Sequence, residues 1–366
     1  MIPGTLLRPA FVVGLGYGVI LLALLATHGW DPRFFATVGP QWARHDPAGL
    51  RAGDGVAFYA LADDPLRGAA RWGAYRTERI FYPLLARIIA FGWRALVPWT
   101  LVLVNWAAIV LGTEILHRVL LGVGAPAWMA LGYGAWGGLG MALLKDTAEP
   151  TTFLCALLGI WWLQHGRTAF ACGAFLCALL GRETALFLIA PYLLQAGQGR
   201  RGIARWLPAL AVLGVWQGWV LAVRLWLHGS PAPQVWLWPV PLIGFGATRL
   251  PDLPFSVIQL IIPAIVVLAL GIRGLRRGPG DASLWAAVLN ALLVLSLPPL
   301  TADVLWHSGR LSTGLVAATL LATSLSVSAP RTWRALAAVY ASSACWTLVV
   351  AVRYLFWDIV VLGSLM

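Results

Sequence analysis

The sequence predicts an all-α fold, a polytopic transmembrane bundle of about 10–11 spans, and three observations carry that expectation. Of 366 residues, 60% are hydrophobic and only 11% are charged, which is too apolar for a water-soluble domain of this size. Apolar stretches able to cross a hydrocarbon core of roughly 30 Å, about 20 residues each, recur from Pro9 to Tyr354. The arginines fall in short clusters between those stretches, the pattern that sets membrane orientation. A net charge of +12 distributed this way forms no continuous basic face, so membrane lipids rather than nucleic acid are the expected surroundings.

In chain order, hydropathy places spans near residues 9–28, 99–121, 124–144, 151–164, 168–196, 206–227, 255–272, 283–300, 310–329 and 335–355. The first is long for a signal-peptide core and lacks a clear small-x-small cleavage site, so it is expected to remain as a span. A polar, arginine-rich stretch runs from Trp30 to Arg79. From Ile80 to Leu96, Arg79, Arg87 and Arg94 recur at spacings of eight and seven on an otherwise apolar helix. At 3.6 residues per turn they share one stripe within about 80°. An amphipathic helix lying in the interface fits that stripe better than a span burying Arg87 in lipid. The 168–196 segment is interrupted by Gly181-Arg182-Glu183-Thr184 and reads as a hairpin of two half-helices. Gly14, Gly16, Gly18 and the glycines between Gly132 and Gly140 lie in apolar helices, where small residues permit close packing. Cys155, Cys172, Cys177 and Cys345 lie in apolar segments without metal-ligand spacing and read as packing residues.

With that layout, Arg8, Arg118, Arg167, the Arg200/Arg201/Arg205 group, the Arg273/Arg276/Arg277 group and Arg331/Arg334 fall on one side, the cytoplasmic one. The opposite side receives the first loop (29–80), Lys145–Pro150, Arg182-Glu183, a loop over 228–254, and Thr301–Arg310. All fourteen acidic residues except Glu114 and Asp281 sort with that side. The chain is therefore expected in the inner (plasma) membrane as a multi-pass protein, with a site facing the periplasm or exterior. Individually, Asp31, Asp46, Asp63 and Asp64 read as solvated loop charges; a concentrated outer-face site accounts for the ensemble.

Four short motifs carry the candidate chemistry. Gly53-Asp54-Gly55 sets a carboxylate between two glycines, with Tyr59 following. Asp54 reads as a general base or metal ligand with Tyr59 lining a substrate pocket, or as a plain turn. Arg76 and Arg79 flank Glu78 just before Tyr82; guanidinium forks match phosphate oxygens, and interfacial anchoring by Arg and Tyr is the other reading. Lys145-Asp146-Thr147-Ala148-Glu149-Pro150 forms a tight connector whose carboxylates suit an acid/base or cation site. Alternatively, Asp146 neutralises Lys145 and Glu149 is an acidic first-turn residue. Arg182 and Glu183 interrupt an apolar stretch, where ionisable groups are costly and mark function by default; an Arg182 pair with Glu183 or Glu149 that supports the broken helix competes with that reading. His307 and Arg310 can help hold a phosphate or can be surface features. Trp236 and Trp238 read as interfacial-belt or sugar-stacking residues.

These residues resemble the C-type (GT-C) polytopic glycosyltransferases, in particular bacterial lipid-dependent mannosyltransferases and cell-surface glycopolymer enzymes. Asp54 with Gly55 and Tyr59 resembles their acidic first-outer-loop motif. Arg79-Ile80-Phe81-Tyr82-Pro83-Leu84-Leu85 resembles their R-x-x-Y-P-L-L segment, and Glu149-Pro150 and Arg182-Glu183-Thr184 resemble their T-E-P and L-x-R-E-T segments. The likeness covers roughly residues 50–195. It implies a catalytic transmembrane module over 1–200, including the interfacial helix 80–96, and variable helices over 201–366. It also implies transfer of a sugar from a polyprenyl-phosphate donor to a glycan, lipid or protein acceptor, with inversion. Asp54 would be the base. Arg76, Arg79 and Arg182 would hold the donor phosphate, and Glu78 and Glu149 would orient those arginines or bind a cation. Asp63-Asp64 and a separate Asp54 stand in place of a compact D-x-D unit, which leaves a divalent cation such as Mg or Mn, with Asp54 and Glu149 as its candidate ligands, an open question. A transporter or lipid-carrier flippase is the competing class; paired broken segments would favour it, and the sequence offers a single broken segment with no second copy.

Overall fold

The computed structural model describes residues 8–37, 53–197, 204, 206–228, 241–248, 250–299 and 305–355. Asp46, the Arg200/Arg201/Arg205 group, Trp236, Trp238 and Thr301 lie outside the described residues. All regular elements among the described residues are helical. In chain order they are α1 (Pro9–Thr27), α2 (Arg33–Thr37), α3 (Gly53–Asp63), α4 (Pro65–Trp72), α5 (Ala74–Thr77), α6 (Phe81–Ile89) and α7 (Val97–Gly122). After a 3-10 turn at Ala127–Ala130 come α8 (Leu131–Gly134), α9 (Gly137–Leu143), α10 (Glu149–Gln164), α11 (Thr168–Gly181) and α12 (Leu186–Gln195). The remainder comprises α13 (Leu207–Trp226), α14 (Leu253–Leu275), α15 (Ala282–Leu295), α16 (Leu305–Leu311), α17 (Thr313–Leu321), α18 (Leu325–Ser328), α19 (Pro330–Ser342) and α20 (Ala344–Leu355).

Among the described residues, five helices are long and apolar enough to cross a membrane: α1, α7, α13, α14 and the Pro330–Val352 pair formed by α19 and α20. About 10–11 spans were expected, and several of the segments read as spans are short or broken helices. The 124–144 stretch is split into α8 and α9 at Ala135-Trp136, because its glycines are used for close approach instead of a continuous helix. A Cβ on Gly138 would lie 2.0 Å from the Gly309 carbonyl oxygen, and one on Gly137 would lie 2.9 Å from that of Ser343. Gly14 packs in the same way against Val110, whereas Gly16 and Gly18 face open space.

The predicted 80–96 interfacial helix ends at Ile89, because Phe91 and Gly92 turn left-handed (φ 51° and 73°). Its arginine stripe is spent locally. Arg87 Nη1 donates to the carbonyls of Ala62 (2.9 Å) and Asp63 (2.5 Å), end-of-helix groups that α3 leaves without partners. Arg94 pairs with Asp63 at 3.5 Å and Asp64 at 3.2 Å, and Asp64 caps α4 by accepting from the Arg67 backbone N–H. Asp31 pairs with Arg33 at 2.7 Å. The 168–196 segment is broken where expected: Arg182 is extended (φ −165°, ψ 130°) between α11 and α12.

Exposed tryptophans sit at both ends of the bundle. Trp30, Trp93, Trp99 and Trp226 flank the C-termini of α1 and α13 and the N-terminus of α7, while Trp128, Trp206 and Trp285 mark the opposite ends. Two such belts are where indole rings settle at a lipid boundary. None of the four cysteines is in a disulfide among the described residues. Cys155, Cys172 and Cys177 belong to the apolar cluster that fills the bundle.

Candidate functional site

Four chain segments meet at one end of the bundle, each delivered by a local feature. In α3, Asp54 sits in the first turn, while Phe58 and Leu61, at helical spacings from it, are buried against Tyr82 and Leu101. Gly55 lets α3 press onto the 144–148 connector: a Cβ there would lie 2.1 Å from the Lys145 carbonyl oxygen. Glu149 begins α10, where a carboxylate is favoured by the first-turn N–H groups. Arg182 follows α11, whose terminal Gly181 packs on Thr152. Arg310 arrives on α16, seated by the Trp136 indole, which donates to the Gly309 carbonyl at 3.1 Å.

The charged groups form one connected network. Arg310 bridges two carboxylates, with Nη2 3.7 Å from Asp54 and Nη1 3.5 Å from Glu149. Arg182 donates to Glu149 through Nη1. Arg76 Nε lies 3.4 Å from Asp54. Arg79 forms a two-point pair with Glu183, at 3.0 Å from Nε and 2.6 Å from Nη2, and its guanidinium stacks 4.2 Å from the Tyr75 ring centroid. Burial grades across the network. Glu149 is fully buried and Arg79, Arg182 and Arg310 nearly so, whereas the side chains of Asp54, Arg76 and Glu183 are 18%, 28% and 43% exposed. Asp54, Arg76 and Glu183 therefore form the accessible side of a guanidinium-rich floor.

That floor retains unused polar capacity. Among the described residues, Arg182 Nε, Arg76 Nε, Glu149 Oε2, Thr152 Oγ1 and Thr184 Oγ1 are buried without a hydrogen bond, a condition that native proteins confine largely to functional or solvated sites. Burial alone would raise the Asp54 carboxyl, but Arg310, Arg79, Arg182 and Arg76 hold it well below the usual carboxylate range. Burial likewise opposes ionisation of Glu183, and Arg79 and Arg182 outweigh it. Lys145 is pushed down to about 7, first by burial and then by Arg310, with Asp54 opposing. Asp146, fully buried at a left-handed φ of 47°, is pushed well above its ordinary value by burial.

Asp54, Arg76, Arg79, Lys145, Glu149, Arg182, Glu183 and Arg310 thus come together; the other candidates do not. Glu78 turns to α13, where Arg224 holds its carboxylate at 2.6 Å and Trp219 donates to its carbonyl. Tyr59 lies about 140° round the helix from Asp54 and packs on the apolar cluster under α3, where Asp63 and Arg33 act on it instead; it does not line the charged cluster. Tyr82 is a core residue. Its hydroxyl donates to the Leu101 carbonyl at 3.0 Å and accepts from Asn105 at 2.9 Å. Asp146, expected to neutralise Lys145 or bind substrate, is fully buried, and neither of its carboxylate oxygens makes a hydrogen bond among the described residues. His307 is exposed one turn before Arg310.

Sequence reasoning passed over two residues. Asn105, fully buried in α7, donates to Tyr82 and to the Thr147 carbonyl and accepts from Thr151, so it ties α6, α7 and the connector together; a lone amide in a 26-residue apolar helix was the available signal. Arg224, in the last turn of α13, was visible only as an arginine at a span's end.

The donor set does not fit a divalent cation. Asp54 and Glu149, the candidate ligands, share Arg310, and among the described residues no group of three His, Cys, Asp or Glu side chains comes together that could hold a metal. Guanidiniums with spare N–H groups fit an anion instead. No family model matches this chain, and no curated protein or solved structure does so either.

Proposed function

We propose that the protein is an integral membrane glycosyltransferase that moves a sugar from a polyprenyl-phosphate donor to an acceptor hydroxyl at the extracytoplasmic face, inverting the anomeric centre. The observation that supports this most is Asp54 at the open side of a floor built from Arg76, Arg79, Arg182 and Arg310. An acid/base carboxylate beside an anion-binding guanidinium cluster is what breaking a sugar–phosphate bond requires. The expected motifs around Asp54, Glu149 and Arg182 add to that support. The headgroup-level position suggested by the tryptophan belt suits a lipid-borne donor, whereas a nucleotide sugar belongs to the cytosol.

In this mechanism Asp54 accepts the proton of the acceptor hydroxyl as its oxygen attacks the anomeric carbon. The bond from that carbon to the phosphate oxygen breaks with its electron pair, and the departing phosphate is met by the guanidiniums. Four arginines make a resting Asp54 a feeble base. A donor phosphate bound to them takes up their positive charge, and the Asp54 carboxyl then rises toward a working range. Basicity arrives with the substrate.

The test is to incubate purified protein with a panel of polyprenyl-phosphate sugars and follow donor consumption, with Asp54→Asn as the control. Consumption of one donor by the wild type but not by the variant is expected. If no donor is consumed, or if the variant matches the wild type, the proposal fails.

A further inference from the structure

A second charged feature lies at the far end of the bundle and takes no part in the chemistry above. Between the C-terminal turn of α14 and the start of α19 is a cavity of about 540 Å3, within the size range of small-ligand sites. One wall carries Arg273 and Arg277, one helical turn apart; the other carries the hydroxyls of Ser324, Ser328 and Thr332. Neither guanidinium makes a side-chain hydrogen bond or ion pair among the described residues, although Asp281 stands at the rim. That carboxylate is engaged elsewhere. Its Oδ1 caps α15, accepting from the backbone N–H groups of Ser283 and Leu284 and from the Ser283 hydroxyl.

Two arginines at a helix C-terminus have an ordinary use in the helix dipole and in membrane orientation. Neither use explains the opposite wall. Ala329, the N-cap of α19, supplies no side-chain cap and Pro330 carries no N–H, so the N–H groups of Arg331 and Thr332 are left without intrahelical partners, beside the hydroxyls of Ser324 and Thr332 and that of Ser328, which donates to the Ser324 carbonyl at 3.1 Å. The cavity is therefore lined by donors on both walls, and the one carboxylate among its described lining residues is engaged in the α15 cap. Such a lining suits an anion. Its level is also defined. From Phe255, which packs against Gly309, to Arg273 the α14 helix rises about 27 Å at 1.5 Å per residue, which sets the cavity a bundle-length from Arg310. Beside it Val327 and Trp285 are 86% and 44% exposed, an arrangement suited to headgroup depth.

We infer that this cavity binds the phosphate of an anionic membrane lipid, held between Arg273 and Arg277 on one side and the α19 N-terminus with its hydroxyls on the other. Basic pockets between helices at a membrane face recognise such headgroups.

The full-length protein, delipidated in mild detergent, is titrated with phosphatidylglycerol or phosphatidylcholine, and bound lipid is counted by native mass spectrometry. The wild type should prefer phosphatidylglycerol by about thirtyfold, the effect of two guanidiniums at a headgroup. Arg273→Gln/Arg277→Gln should abolish the preference. Ser328→Asp, which leaves both arginines in place and sets a like charge opposite them, should abolish it too, so a folding defect in the first variant does not decide the outcome. Equal affinity for the two lipids in the wild type, or a preference that survives both variants, overturns the inference. If inorganic phosphate displaces the bound lipid at equal concentration, the ligand is a soluble phosphate and the lipid assignment falls.

Discussion

The two ends of the bundle handle arginine in opposite ways. Around Asp54, the guanidiniums of Arg79, Arg182 and Arg310 are buried, and each is answered by a carboxylate: Glu183, Glu149, and Asp54 with Glu149. Around Arg273 and Arg277 the guanidiniums are exposed and face hydroxyls and backbone N–H groups. The difference follows from solvation. A buried charge costs several kcal/mol unless paired, so the inner network had to import carboxylates from three separate segments. An exposed arginine keeps its water and can wait for an external anion.

Five measurements test that contrast, and the largest effect falls on chemistry. Asp54→Asn should lower glycosyl transfer by about 10²–10⁴-fold, the usual worth of a positioned base, while leaving the helical content and the membrane insertion intact. Full activity would remove Asp54 from the mechanism and reduce the network to a structural device. Glu149→Gln should lower the thermal stability by about 3–5 kcal/mol, because Arg182 and Arg310 would lose the carboxylate that offsets their burial. A stability equal to wild type would mean that the network is hydrated and the contrast between the ends is one of degree.

Arg79→Ala should raise the donor KM by about tenfold, the loss of one charge-assisted contact to phosphate, with a smaller effect on kcat; unchanged donor dependence would make Arg79 a strut for Glu183 alone. Glu78→Gln breaks a partly exposed pair with Arg224 and should cost at most about 1 kcal/mol with little change in transfer. A large activity loss there would return Glu78 to the site.

The last effect concerns pH. Lys145 is held at about 7 when folded, below its ordinary value in the unfolded chain, so between those two values the unfolded state binds more protons. Stability should therefore climb as pH rises from about 7 toward the ordinary lysine range, and Lys145→Met should flatten that climb. A melting profile identical in the variant would show that Lys145 is solvated.

What could be read in the sequence was what one stretch of chain settles for itself. The helical, membrane-spanning class follows from local hydropathy, and the break at Arg182-Glu183 follows from the cost of charge in an apolar run. Which apolar runs stay straight was not local. The 124–144 stretch gives up its continuity because Gly137 and Gly138 must meet Ser343 and Gly309, partners some two hundred positions away. The fates of the charged residues divided in the same way. Asp54 and Glu149 were recognisable as acids in unusual settings, yet Glu78, only one residue from Arg79, ended on a different partner because helical rotation and α13 intervene. Arg310, which reads from sequence as a phosphate-holding group or a surface feature, is the group that joins the two acids. Local composition determined that this chain lives in a bilayer and where its charges cluster along the chain. Only tertiary packing decided which charges meet, because a buried ion pair is chosen by whichever segments the close-packed helices bring within a few ångströms.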